Sequence, residues 1–245
     1  MTTRTILTTV FTAICVAAPA AAQDSAWGDN GFMSVNGLYD VSSRSYQTTT
    51  DLEINQEATR LTATHEFTPR PVYDFSAGGR VKGNLGFGFA FTIGLPDETA
   101  RITGGIPHPF FFSQPRALDG TARLNGEDLA IHLAAMWLIP VTDRFQLTVF
   151  GGPTWFQLKQ QAIASVVADD EYPYDTVTLN SVSSEERKGS RVGFNVGGDA
   201  SYFFSRYLGV HGLARFSRGH VSLGSNDNRI QVGGLQIGGG LRIRY

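Results

Sequence analysis

The chain has 245 residues (26.6 kDa), with 20 Lys and Arg against 22 Asp and Glu and a formal net charge of -2. No strong field draws it to nucleic acid, which excludes a basic-groove binder. Charged residues are 17% of the chain, fewer than the roughly 25% of an ordinary soluble domain, and an apolar share of 42% excludes a disordered chain.

The N-terminus carries Arg4, a mostly apolar stretch from Ile6 to Ala18, then Pro19 and Ala20-Ala21-Ala22 before Gln23. This order predicts a secretory signal peptide over residues 1–22, cleaved near Ala22. Cys15, the only cysteine, lies inside it, so no disulfide framework or thiol chemistry is expected in the mature chain. The longest later apolar run, Leu129 to Val141, is interrupted by His132 and Pro140 and is too short for a membrane helix.

From there the chain alternates with the period of two that places successive side chains on opposite faces of a strand. Met33, Val35, Tyr39 and Val41 oppose Ser34, Asn36 and Asp40. Tyr73, Phe75, Ala77, Gly79 and Val81 oppose Asp74, Ser76, Gly78, Arg80 and Lys82; after Gly83-Asn84 come Leu85, Phe87, Phe89, Phe91, Ile93 and Leu95. Further apolar faces run through Leu129, Ile131, Leu133, Ala135, Trp137 and Ile139, and through Phe145, Leu147, Val149 and Trp155. A helix over Glu127 to Ile139, capped by Asn125, is the competing reading of that stretch. Val192, Phe194, Val196, Tyr202 and Phe204 share a face opposite Arg191, Asn195 and Asp199, and Leu208, Val210, Ala214 and Phe216 share one opposite His211 and Arg215. The last segment reads Leu235, Ile237, Gly239, Leu241, Ile243, Tyr245 against Gln236, Gly238, Gly240, Arg242, Arg244.

These are eight strands. Long connections at about 42–71, 96–124 and 164–189, and a shorter one at Gly224 to Asn228, alternate with tight turns, as in barrels with short periplasmic turns. The stretches Gln56 to Phe67 and Thr176 to Val182 also alternate, so they prolong strands above the membrane or add a hairpin, making ten. The faces decide the environment. With the apolar face inward, the outside would hold Gly, Ser and Asn with few of the Lys and Glu that solubilise a surface. With it outward, the narrow interior holds small residues and opposite charges, and closure satisfies every backbone group in hydrocarbon. Trp137, Phe145, Phe204, Tyr207 and Tyr245 near one end, and Tyr39 and Trp155 near the other, suit interfacial girdles. The expected fold is all-β: a closed antiparallel up-and-down transmembrane β-barrel of eight strands, with residues 23–245 as its one domain.

The terminal pattern Leu235-x-Ile237-x-Gly239-x-Leu241-x-Ile243-x-Tyr245 resembles the C-terminal strand signature of bacterial outer-membrane proteins, which ends in an aromatic. The architecture is similar to small eight-stranded barrels of the OmpA/OmpX type, the outer membrane protein beta-barrel domain family. The resemblance implies export to a Gram-negative outer membrane and Leu241, Ile243 and Tyr245 as the signal read by the barrel assembly machinery. Expected partners are that machinery and outer-membrane lipids, with the protein a monomer. A peptidoglycan-binding domain after the last strand is not expected, so cell-wall anchoring is not carried over.

Three constellations could carry function. Asp40, Asp74, Arg80, Lys82, His132, Asp199, Arg215, Arg242 and Arg244 face the lumen, where a structural network is expected ahead of a polar channel, because an unpaired buried charge is costly. Pro107-His108-Pro109-Phe110-Phe111-Phe112 places three phenylalanines where no single strand face can hide them; they either cap the rim or contact lipid, ligand or another cell, and the cap is the expectation. Asp169-Asp170-Glu171 with Asp175, beside Tyr172-Pro173-Tyr174, reads as a solvated loop without the glycine spacing of a calcium site. The histidines show no metal-ligand spacing and no nucleophile elbow is present, so neither cofactor, metal nor enzymatic activity is expected. The expected function is structural or surface-interactive. Passage of ions or small molecules through the lumen is the alternative, and a rim hydrolase built on His220 and Ser222 a distant third.

Overall fold

The computed structural model describes residues 31–94, 97–222 and 229–245, all strands and connections. The expected signal peptide and the connection at 224–228 lie outside them. Eight strands close a ring: β1 (Gly31–Asp40), β4 (Arg70–Lys82), β5 (Leu85–Gly94), the lower parts of β7 (Pro115–Pro140), β8 (Phe145–Glu171) and β9 (Thr176–Phe203), then β10 (Leu208–Ser222) and β12 (Leu235–Arg244). Every neighbouring pair is antiparallel, and β12 returns to β1 with Met33 opposite Ile243 and Tyr39 opposite Ile237. Gly31 and Tyr245 exchange backbone hydrogen bonds of 3.1 and 3.0 Å at the seam. The expected eight-stranded barrel is this ring, and the competing helix over Glu127 to Ile139 is instead the barrel portion of β7.

Alternation sets the two faces. On β10, Val210, Ala214 and Phe216 are exposed while His211, Leu213, Arg215 and Ser217 are buried. Val35, Tyr73, Phe87, Leu133, Trp137, Val149 and Ile243 likewise stand on the outer wall. A continuous apolar exterior around a polar interior is stable only in hydrocarbon. Short turns close one end: Gly83 takes a φ of 55° between β4 and β5, Thr142 Oγ1 accepts from the Phe145 N–H at 3.0 Å, and Ser205 Oγ from the Leu208 N–H at 2.9 Å.

The other end departs from expectation. Most of the predicted long connections are strands. β2 (Arg44–Ile54), β3 (Glu57–Phe67), β6 (Asp97–Pro107) and the upper part of β7 form a second sheet in that order. The β2–β3 turn is made by Asn55 and Gln56, both at positive φ (52° and 65°), the geometry that tight hairpins require. The upper β8–β9 hairpin lies over this sheet. Between the two layers Leu61, Ala63, Ile102, Leu118, Ile163 and Val177 pack with Leu52, Ile54 and Leu179 into an apolar core. Of the two stretches that could have made ten, Gln56 to Phe67 supplies β3 of the second sheet and Thr176 to Val182 prolongs β9 above the ring. β11 (Arg229–Val232) pairs with the top of β10, and Ile230 and Val232 join Phe156, Leu158 and Val221 in a plug beneath the dome.

β7 records both environments. Its even positions face inward throughout, reading Leu118, Gly120, Ala122 and Leu124 in the dome, then Asp128, Ala130, His132 and Ala134 in the barrel before Met136 and Leu138. Its odd positions read Asp119, Thr121 and Arg123 above, and Leu129, Ile131, Leu133, Ala135, Trp137 and Ile139 below. The apolar series changes face between Leu124 and Leu129 without a bulge, where water gives way to hydrocarbon. Leu129 to Ile139 supplies the ~9–11 residues that a tilted strand needs to cross.

Candidate functional site

The lumen is closed by layers of paired charge. In the middle, Arg215 donates to Asp74 at 2.5 Å, to Thr92 Oγ1 at 2.8 Å and to Gln236 Oε1 at 3.0 Å. Asn36 Nδ2 donates to the other Asp74 oxygen at 2.7 Å, and Asn36 Oδ1 meets His211 Nε2 at 2.6 Å. Toward the short turns, Arg242 donates to Asp199 at 2.7 Å, to Ser201 at 2.6 Å and to Ser34 at 3.0 Å, its guanidinium 4.2 Å from the Phe32 ring centre. Toward the dome, Asp40 pairs with Arg44 at 3.2 Å and Asp128 with Arg70, the two arginines flanking the Phe67 ring. His132 Nδ1 meets Thr154 Oγ1 at 2.8 Å, and that hydroxyl accepts from Asn195 Nδ2 at 2.9 Å.

The structure thus brings Asp40, Asp74, His132, Asp199, Arg215 and Arg242 into the lumen, with Arg80 and Arg244 beside Arg242 at its end, and it leaves Lys82 outside. Lys82 is exposed at the β4–β5 turn, where its strand has passed the last interior layer. Arg80 and Arg244 line the mouth on the short-turn side, and Arg244 donates to the Arg206 carbonyl at 2.9 Å and lies 3.9 Å from the Phe203 ring centre. Arg44, Arg70 and Asp128 escaped sequence reading because they lie at or beyond the expected strand ends. The space left is small. A cavity of about 40 Å³ touches Asp74, His132, Asn195, His211 and Arg215, enough for a few waters at roughly 10–15 Å³ each.

One ladder break sits in this wall. The β7–β8 pairing omits Leu133 and Ala134, opposite Gly152 and Pro153, because proline has no N–H to donate. Asn195 Nδ2 reaches across from β9 to the carbonyls of Leu133 (3.3 Å), Gly152 (3.0 Å) and Pro153 (3.2 Å).

A closed ring with a greasy exterior and salt-bridged interior decides the class. The chain is an antiparallel β-barrel of the membrane-spanning kind. No family model and no curated protein sequence matches it. Among solved structures it is similar to Ail, the attachment invasion locus protein of Yersinia pestis (11% identity, TM-score 0.39, covering 87% of this chain and 99% of that one). It is similar also to the outer membrane protein OprG of Pseudomonas aeruginosa (10% identity, TM-score 0.43, 89% and 96%). A third is Neisserial surface protein A (10% identity, TM-score 0.38, 88% and 97%).

The barrel carries its dome to an apex where three hairpin ends meet. Asn55 Nδ2 donates to the Pro107 carbonyl at 3.0 Å, and Glu57 accepts from the Ser113 N–H at 3.0 Å. Buried Arg116 donates to the Asp170 carboxylate and to the carbonyls of Pro107 (3.2 Å), Tyr174 (3.1 Å) and Thr176 (3.4 Å). His108, also buried, accepts at Nδ1 from the N–H groups of Phe110 (3.1 Å) and Phe111 (3.2 Å), which fixes the turn from within. Phe110, Phe111 and Phe112 are 66%, 56% and 72% exposed, and Tyr172 is 83% exposed. The expected rim cap is therefore overturned. The β6–β7 ladder runs up to Pro107 opposite Pro115, far above the rim, and the dome core is already filled by Leu61, Ile102 and Leu118. The acidic run expected as a solvated loop is the end of strand β8, with Asp175 in the turn that follows: Asp170 holds Arg116, and Asp169 accepts from Asn180 at 2.7 Å.

Within the dome, His65 is sealed from solvent, stacked 4.4 Å from Tyr46 and bonded to Thr48 Oγ1 at 3.0 Å. Burial lowers its pKa to about 4, so the ring is neutral. Among the described residues no three His, Asp or Glu side chains converge on a metal position. His220 is exposed on the outer side of β10 and Ser222 half-buried two residues further, with no hydrogen bond among the described residues joining them.

Proposed function

We propose that this outer-membrane barrel works as a surface-contact protein: a closed membrane anchor that holds a rigid dome above the bilayer and presents its apex to whatever the cell meets. The observation that carries the reading is the exposure of Phe110, Phe111, Phe112 and Tyr172 on a turn pinned by buried His108 and Arg116. Large apolar side chains held outward by a built scaffold mark an interaction site, since a soluble surface gains nothing from displaying them. The outward-facing Leu241 and Ile243 on β12, with exposed Tyr245 just after it, support their role as the assembly signal. Passage through the lumen is disfavoured by the successive charge layers, which conduction would have to break.

The test is adhesion. Bacteria displaying the wild-type chain and the variant Phe110→Ser/Phe111→Ser/Phe112→Ser at equal surface density are compared for attachment to cell monolayers and to one another. The reading expects at least a severalfold loss with the variant. Equal attachment, or none by either, overturns it.

A further inference from the structure

The apex also indicates what it touches. Three consecutive phenylalanines on one turn stand outward together, with Phe110 edge-on to Tyr174 at 5.2 Å and Tyr174 edge-on to Tyr172 at 5.9 Å. A small ligand is gripped by a hollow, whereas projecting aromatics are buried by a partner's pocket or by a medium that closes around them. Phenylalanine flanked by tyrosine, apolar at the tip with phenol groups beside it, is the composition that settles at a membrane–water interface.

The charge around the wedge narrows the choice of membrane. Asp169 and Asp175 are exposed and Glu57 half-buried beside the turn. The nearest cation, Arg116, is buried and spent on Asp170 and three carbonyls. Such a rim is repelled by anionic headgroups. It complements a headgroup that ends in a quaternary ammonium, which aromatic faces attract through their quadrupole and carboxylates attract by charge.

We propose that the apex docks on a bilayer apposed to the cell and rich in phosphatidylcholine, Phe110, Phe111 and Phe112 entering the interface while the tyrosines and Asp169 and Asp175 meet the choline groups. The inference rests on the surface-contact reading and gives it a partner. The barrel remains in its own membrane, and the dome spans the gap.

The experiment uses the full chain in lipid nanodiscs, mixed with separate vesicles of pure phosphatidylcholine or of equal phosphatidylcholine and phosphatidylglycerol, and followed by flotation. Wild type is expected to float with pure phosphatidylcholine and at least severalfold less with the anionic mixture. The triple Phe→Ser variant is expected to lose flotation about tenfold while keeping the heat-dependent gel shift of an intact barrel. Asp169→Asn/Asp175→Asn is expected to keep flotation but lose the discrimination. Equal flotation of the triple variant, or preference of wild type for the anionic vesicles, overturns the proposal. If wild type ignores vesicles while the triple variant still loses cell adhesion, the lipid assignment fails and the contact reading stands with a protein partner. If adhesion is also unchanged, both fail.

Discussion

Arg215 reaches across 141 positions of sequence to hold Asp74 at 2.5 Å in the centre of the barrel, with both side chains all but sealed from solvent. Removing one partner strands the other. Asp74→Ala is expected to cost about 3–5 kcal/mol, because the guanidinium stays buried without its counter-charge. The double variant Asp74→Leu/Arg215→Met is expected to cost less than the two single changes together. Urea titrations in lipid vesicles measure both, and strict additivity would show that the pair is not coupled.

The lumen layers are redundant as barriers. Arg215→Ala opens the middle one, yet Asp199 with Arg242 below and Asp40, Arg44, Arg70 and Asp128 above remain in place. Wild type and Arg215→Ala are both expected to be electrically silent in planar bilayers. Discrete openings by the wild type would instead make the channel reading the right one.

His65 gives the dome a dependence on acidity. Its folded value of about 4 lies below the ordinary 6.5, so between those values the unfolded segment binds a proton that the folded one excludes. Dome stability is therefore full above pH 6.5 and falls by up to roughly 3 kcal/mol as pH drops toward 4. Protection factors across β2 and β3, corrected for the slower intrinsic exchange in acid, are expected to fall over that window. His65→Phe, which keeps a ring against Tyr46 but cannot titrate, flattens the profile.

Asn195 supplies donors to carbonyls left by the broken β7–β8 ladder. Its replacement by Leu fills similar space but offers no hydrogen bond, and a loss of about 1–3 kcal/mol is expected for each carbonyl left dry. Restoring a ladder donor through Pro153→Ala in the Asn195→Leu background is expected to recover part of it. Full stability of Asn195→Leu alone would indicate that water serves those carbonyls instead.

The barrel could be read from sequence because its strands have apolar residues on one parity over a full crossing, as in Leu235, Ile237, Leu241 and Ile243. The dome was harder to recognise. Its strands put Leu61, Ala63, Ile102 and Leu118 inside and Arg60, Arg101 and Asp119 outside, the reverse of the membrane pattern. A reader tuned to one environment takes the other for loop. The phenylalanine turn was visible by composition, but its direction was not. Exposure there depends on Arg116 and Asp170, 54 positions apart, and on the height to which β6 and β7 climb, neither of which local spacing encodes. Lys82 shares parity with lumen residues, and parity alone carries no information on how far along the barrel a side chain sits.

The change of apolar face on β7 between Leu124 and Leu129 acts as a waterline painted on a hull. Sinking the molecule by one pair of residues would drag Arg123 toward oil, and raising it would lift Leu129 into the sea. The draught is thus fixed by the chain itself. At ~3.3 Å per residue the mast from Asn125 to Pro115 stands roughly 30 Å tall along the strand, so the apex keeps one fixed height above that line.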